Sequence, residues 1–165
     1  MRPAALSLIL LAAAVAAGPA LAKSTDRQQP MDLSAANMDA LLSADSVSTL
    51  EGSVTIRQGS LEVDADRAEI HRKAGEIDRI VLTGSPARLR QLSDQGEPMD
   101  ATAAQVVYTL SSDVMVLTGN VVITQPRGTL RGETVKYDIN TGRIDGGGDG
   151  ARVSMRILPK NAAAD

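Results

Sequence analysis

The sequence predicts an all-β fold, a roll of short antiparallel strands stacked in about four repeats. Three observations carry that expectation. From Val47 to Ile157 apolar and polar residues alternate with period two, the signature of half-buried strands. No stretch in that range shows the 3.6-residue spacing of an amphipathic helix. One unit also recurs: Leu50-Glu51-Gly52, Leu82-Thr83-Gly84 and Leu117-Thr118-Gly119 each open a run of strand-forming residues, and Gly150 to Ile157 is a shortened fourth copy. The four glycines, Gly52, Gly84, Gly119 and Gly150, are spaced by 32, 35 and 31 residues. A period of this size marks an architecture built by stacking one unit on the next. A glycine at the same place in each unit predicts a bulge or tight bend at a shared corner.

Taken in order, residues 1–22 read as a cleavable signal peptide, with Arg2, an apolar run from Leu6 to Ala17, and Ala20-Leu21-Ala22 before Lys23. That run is shorter than the ~20 apolar residues of a membrane-spanning helix. Residues 23–29 are polar and expected to be loose. Pro30 to Ser34 begins the alternation, and the proline suits the start of an edge strand. Residues 37–44 carry Met38, Leu41 and Leu42 among alanines, which fits either a helical turn or a strand and turn. Val54 and Ile56 alternate with Thr55 and Arg57. Gly59-Ser60 turns the chain, and Leu61, Val63 and Ala65 alternate with Glu62 and Asp64, with a break near Asp66-Arg67. Further turns are expected at Lys73 to Glu76, Ser93 to Pro98, Ser111 to Asp113, Pro126 to Gly128 and Asn140 to Gly142, with a bulge at Gly132. On this reading each repeat holds about four short strands. One domain spans residues 30–158, and residues 159–165 form a flexible tail.

Composition narrows the function. The chain has no cysteine, so a disulfide framework, thiolate-bound metals and thiol catalysis are excluded. Without residues 1–22, 16 basic residues face 20 acidic ones, a net charge of −4 that argues against a nucleic-acid partner. Phe and Trp are absent and Tyr108 and Tyr137 are the only aromatics, so the interior must be built from aliphatic side chains. His71 is the single histidine and reads as an exposed turn residue. Asp64, Asp66 and Glu69, and separately Asp94, Glu97 and Asp100, read as solvated faces rather than paired catalytic carboxylates. The Asp138 to Gly142 and Asp145 to Gly150 segments lack the ligand spacing of calcium loops and read as turns. No nucleophile elbow, phosphate loop or dinucleotide fingerprint is present, so neither an enzyme nor a cofactor is expected.

What remains is the apolar face. In this register Leu33, Val54, Ile56, Leu61, Val63, Ala87, Leu89, Val106, Tyr108, Leu110, Val121, Ile123, Tyr137, Val153 and Met155 point inward. The residues leave two readings of that face open. One is an ordinary closed core. The other is a groove for a lipid, since hiding ten methylenes from water is worth about 8 kcal/mol. Arg88, Arg90, Arg152 and Arg156 fall on the outward register and read as solvated charge rather than contacts to lipid phosphates.

Several segments carry a resemblance. Gln29 to Leu33 after a signal peptide, Leu50 to Gly59 followed by Ala65 to Ala68, Gly84 to Ala87, Val106 to Leu110 and Val116 to Val121 together resemble the OstA-like family of periplasmic lipopolysaccharide transport proteins that includes LptA. The resemblance covers about Pro30 to Ile157 and leaves as an alternative a periplasmic domain of the LptC type, which shares the fold and would keep an uncleaved N-terminal anchor. It implies an open, twisted β-jellyroll that binds lipid A acyl chains inside and stacks head to tail. It further implies a bridge from an inner-membrane complex of LptC with LptB, LptF and LptG to the outer-membrane LptD–LptE translocon. By similarity, Met31, Leu33, Leu89, Tyr108 and Leu110 match the family's lipid-contacting interior, to which the register adds Val54, Ile56, Val121 and Ile123. Phenylalanine is common in the family where this chain has Leu50 and Leu89, and the tail after Pro159 is shorter than family tails.

Overall fold

The computed structural model describes residues 25–147 and 152–159. Ten strands follow one another: β1 (Met31–Ser34), β2 (Asn37–Asp39), β3 (Ser46–Gln58), β4 (Leu61–Lys73), β5 (Glu76–Leu92), β6 (Pro98–Thr109), β7 (Val114–Gln125), β8 (Gly128–Asp138), β9 (Arg143–Gly146) and β10 (Ser154–Ile157). All pairings are antiparallel and lie in one sheet, a meander from β3 to β8. β1 and β2 both pair with β3 at one edge, and β9 and β10 both pair with β8 at the other.

The sheet is single, yet one of its faces is covered almost completely. Leu50, Val54, Ile80 and Val135 are all at 0% exposure and belong to one apolar cluster. A sheet with no α-helix packed on it among the described residues hides a face only by folding onto itself. The fold line is a row of register shifts that crosses the sheet between Glu51 and Val54, Asp64 and Arg67, Thr83 and Ala87, Thr102 and Gln105, and Thr118 and Val121. Bulges bend strands and raise their twist. On one side of the line lies a first half (β1, β10 and the parts of β3 to β8 that pair with them in register), and on the other a second half that includes β2 and β9.

Glycine makes this bend at two places. Gly52 (φ 79°) precedes Ser53 (φ 49°), and Gly119 (φ 84°) precedes Asn120 (φ 49°). A Cβ on Gly119 would lie 2.7 Å from the Ala104 Cβ, so the left-handed backbone and the close approach both demand glycine. Gly84 sits at the same line without a positive φ, beside a cis Ser85–Pro86 bond. Gly150 lies outside the described residues.

The strand count differs from the expected four per repeat. Each repeat contributes two long strands, β3–β4, β5–β6 and β7–β8, of 11 to 17 residues. The short strands of the sequence reading are their halves, separated by the bulges. The truncated fourth copy supplies β10. Residues 37–44 take the strand-and-turn form, with β2 followed by a turn into β3. His71 lies within β4, not in a turn. It is part-covered and 3.6 Å from Glu69, because β4 continues to Lys73. Where a loose lead-in was expected, Asp26–Gln28 form a 3-10 turn bonded to the body of the fold, with Asp26 buried. The proposed signal peptide and residues 160–165 lie outside the described residues.

Candidate functional site

The site is built by register. In the first half, antiparallel pairing lines up Leu33, Ile56, Val63, Leu89, Ala101, Ile123, Leu130 and Met155 as one row across eight strands. In the second half, Met38, Leu50, Ala68, Leu82, Val106, Leu117, Val135 and Gly146 form another. Cross-strand neighbours of this kind sit about 5 Å apart and pack side by side. Folding turns the two rows toward each other, so that the interior is an aliphatic slot running from one sheet edge to the other.

Most residues expected inside are there. Val54, Ile56, Leu89, Val121 and Ile123 are at 3% exposure or less, and Tyr108 is at 6%. Met31, Leu33 and Leu110 are half-buried and pack against the cluster from its margins. Met155 requires a correction. It keeps its place in the inner row opposite Leu130, but it is 62% exposed, because β10 is the last strand and nothing described covers it. The outward reading of Arg88, Arg90, Arg152 and Arg156 matches their exposure. The second row was largely missed. Leu50, Leu82 and Leu117 each stand two residues before the repeated glycine, and that constant offset was the signal available for finding them.

The slot offers little polar chemistry. Burial pushes the Tyr108 phenol up to about 12, helped by the Asp113 carboxylate, whose Oδ1 accepts the tyrosine hydroxyl at 3.2 Å. Burial likewise pushes Tyr137 up to about 12, with Asp138 adding to it. Both phenols therefore stay protonated at neutral pH, able to donate a hydrogen bond and not to act as nucleophiles. Among the described residues Gln91 is the one buried amide side chain, and its Oε1 has no protein partner. Among the described residues no cluster of His, Asp and Glu is arranged to hold a metal.

The slot ends openly at the C-terminal edge. There Ile123, Leu130 and Ile144 line a recess of about 180 Å³ together with Met155, Ile157, Arg127 and Arg156. At the N-terminal edge Met38 is 56% exposed, and β2 is exposed along its whole length.

Fold and slot together define an open antiparallel β-jellyroll with an apolar interior and, among the described residues, two edges that no further strand covers. The sequence profile described as "LptA/(LptD N-terminal domain) LPS transport protein" matches residues 33–143. The chain is 31% identical over 158 residues to the lipopolysaccharide export system protein LptA of Escherichia coli K12, covering 93% of this chain and 85% of that one. It is 30% identical to LptA of Haemophilus influenzae, over 92% of this chain and 90% of that protein. The chain belongs to the LptA/LptD N-terminal domain family of lipopolysaccharide transport proteins. The crystal structure of LptH, the LptA-homologous periplasmic component of the lipopolysaccharide transport device of Pseudomonas aeruginosa, superposes with a TM-score of 0.74 at 22% identity, over 82% of this chain and 99% of that one, and shares the fold.

Proposed function

We propose that this protein is a periplasmic carrier of lipopolysaccharide, without enzymatic activity, whose two aliphatic rows shield the acyl chains of lipid A. The observation that supports this most is the continuity of the row from Leu33 to Met155, which crosses eight strands and, among the described residues, ends at an exposed Met155. Residues 1–22 act as a cleavable export signal, checked by the mass of the mature N-terminus, which should begin at Lys23.

The chain assembles head to tail. Unpaired strand edges recruit further strands. The N-terminal edge carries Asp32 and Asp39, and the C-terminal edge carries Arg156 with Arg131 on the neighbouring strand, so unlike charges meet when one edge adds to the other. Joining two different surfaces makes an open filament, not a closed ring. By family likeness the ends of that filament meet LptC of an LptB/LptF/LptG complex at the inner membrane and LptD at the outer membrane.

The tight burial of Val54, Leu89 and Val121 favours a second reading, a closed structural or glycan-binding module. Photocrosslinking separates the two. A photoreactive residue at Leu89 or Tyr108 should capture lipopolysaccharide, while one at the outward-facing Asp64 should not. Equal labelling at all three, or a strict monomer that co-purifies with no lipid, would favour the module.

A further inference from the structure

Along its middle the slot as folded is shut: Leu50, Val54, Leu89 and Val121 are at 0–2% exposure, so a chain can lie between the rows there only if the halves part. The N-terminal turn spans the rim where they would part. On the first half, Asp26 is buried against the β3–β4 turn and accepts a hydrogen bond from the Ser60 hydroxyl. Gly59 lies so close that a Cβ there would sit 2.8 Å from the Asp26 Cα. Gln58 Nε2 donates to the backbone carbonyls of Arg27, at 3.4 Å, and Gln29, at 3.2 Å. From this anchor Arg27 reaches across the rim, and its Nη1 donates to Asp113 Oδ2 at 3.0 Å. Asp113 belongs to the β6–β7 turn, at the outer end of the second half. It is fixed there by the Tyr108 hydroxyl, by Asn140 Nδ2 at 3.2 Å and by the Ile139 amide at 2.9 Å. The ion pairs Arg57–Glu62, Arg90–Asp100 and Arg67–Glu51 each stay within one half, whereas Arg27–Asp113 joins the two.

We propose that Arg27 and Asp113 form a clasp that holds the folded sheet shut, and that its release admits an acyl chain to the slot. The two are positioning residues: they set how readily the halves part, while the aliphatic rows set how tightly a chain is held. The pair is part-exposed, with side chains at 30% and 25%, so salt weakens it and it can open and re-form. The second foot of the clasp stands on Tyr108, a wall residue, so a chain that displaces the Tyr108 ring also disturbs the carboxylate holding Arg27.

The clasp rests on the carrier reading for its purpose, and its test keeps the two apart. Hydrogen exchange of the mature protein without lipid reports the clasp itself. Arg27→Gln should speed exchange in the β3–β4 and β6–β7 turns about fivefold, and Arg27→Lys should restore most of the protection. Unchanged exchange in Arg27→Gln would overturn the clasp whether or not lipid binds. Stopped-flow uptake of a pyrene-labelled monoacylglycerol, which is uncharged, then reports access. Wild-type uptake should accelerate with added salt. Arg27→Gln should be about fivefold faster at low salt and insensitive to salt, with the same final signal, because the wall is intact. Equal rates and equal salt dependence in both proteins would refute control of access. Faster exchange with no probe bound by any variant would instead refute the carrier reading and leave the clasp standing.

Discussion

The middle of the sheet and its C-terminal edge obey the same sequence rule and end in opposite states. Leu89 and Val121 alternate with polar neighbours in β5 and β7, and so do Met155 and Ile157 in β10; yet the first two are at 2% and 1% exposure and the last two at 62% and 72%. What separates them is whether another strand lies on the far side. The middle is a finished interior. The C-terminal edge is the same interior, interrupted.

That contrast can be broken, and the largest effect is expected in the middle. Leu89→Ala should lower unfolding free energy by about 2–5 kcal/mol in urea titrations, because the closed wall leaves a cavity that neighbours fill poorly. A loss below about 1 kcal/mol would mean the slot is loosely packed and the middle resembles the edges after all. Next comes the fold line that creates the middle. Gly119→Ala should cost about 1–3 kcal/mol, since it forces a left-handed φ on alanine and brings its methyl group against Ala104.

Alkali should also act on the interior. Tyr108 and Tyr137 have pKa values of about 12 in the folded protein against about 10 when unfolded, so the native state holds these protons more tightly. Their contribution is complete below pH 10 and is lost as pH rises from about 10 to 12. The urea midpoint should therefore be flat with respect to these groups below pH 10 and fall above it, and Tyr137→Phe should reduce that fall. The smallest effect on stability belongs to the edge. Ile157→Asp should change unfolding free energy by about 0.5 kcal/mol or less, because the side chain is already in water. It should nonetheless abolish any concentration-dependent growth in mass seen by light scattering. A variant that unfolds would show that the edge is part of the core.

Much of this was legible in the residues. Alternation located the strands, and the turns at Gly59-Ser60, Ser111 to Asp113 and Asn140 to Gly142 fall where polar and glycine residues interrupt it. Strand length was not legible. In β4 the buried set passes from Leu61, Val63 and Ala65 to Ala68, a switch of parity that looks like the end of one strand and the start of another. A bulge produces the same pattern inside a single strand. The inner wall was legible from parity, but exposure was not: the pattern that places Met155 inside carries no information about whether a neighbouring strand exists. Arg27 and Asp113 are 86 residues apart, and only the folding of the sheet brings them together. His71 was misplaced because a basic run after it resembles a turn, while the β4–β5 pairing carries on through Lys73.

Both edge strands are broken in two. β1 and β2 meet at Ala36, whose amide bonds to the Gly52 carbonyl at 2.8 Å, and β9 and β10 are likewise separate pieces along β8. A straight strand that approached either edge would match only one piece before running off at the fold line. Such an edge mismatches the flat, featureless strands that seed aggregation. The crease thus makes each edge a poor template for an uncreased strand.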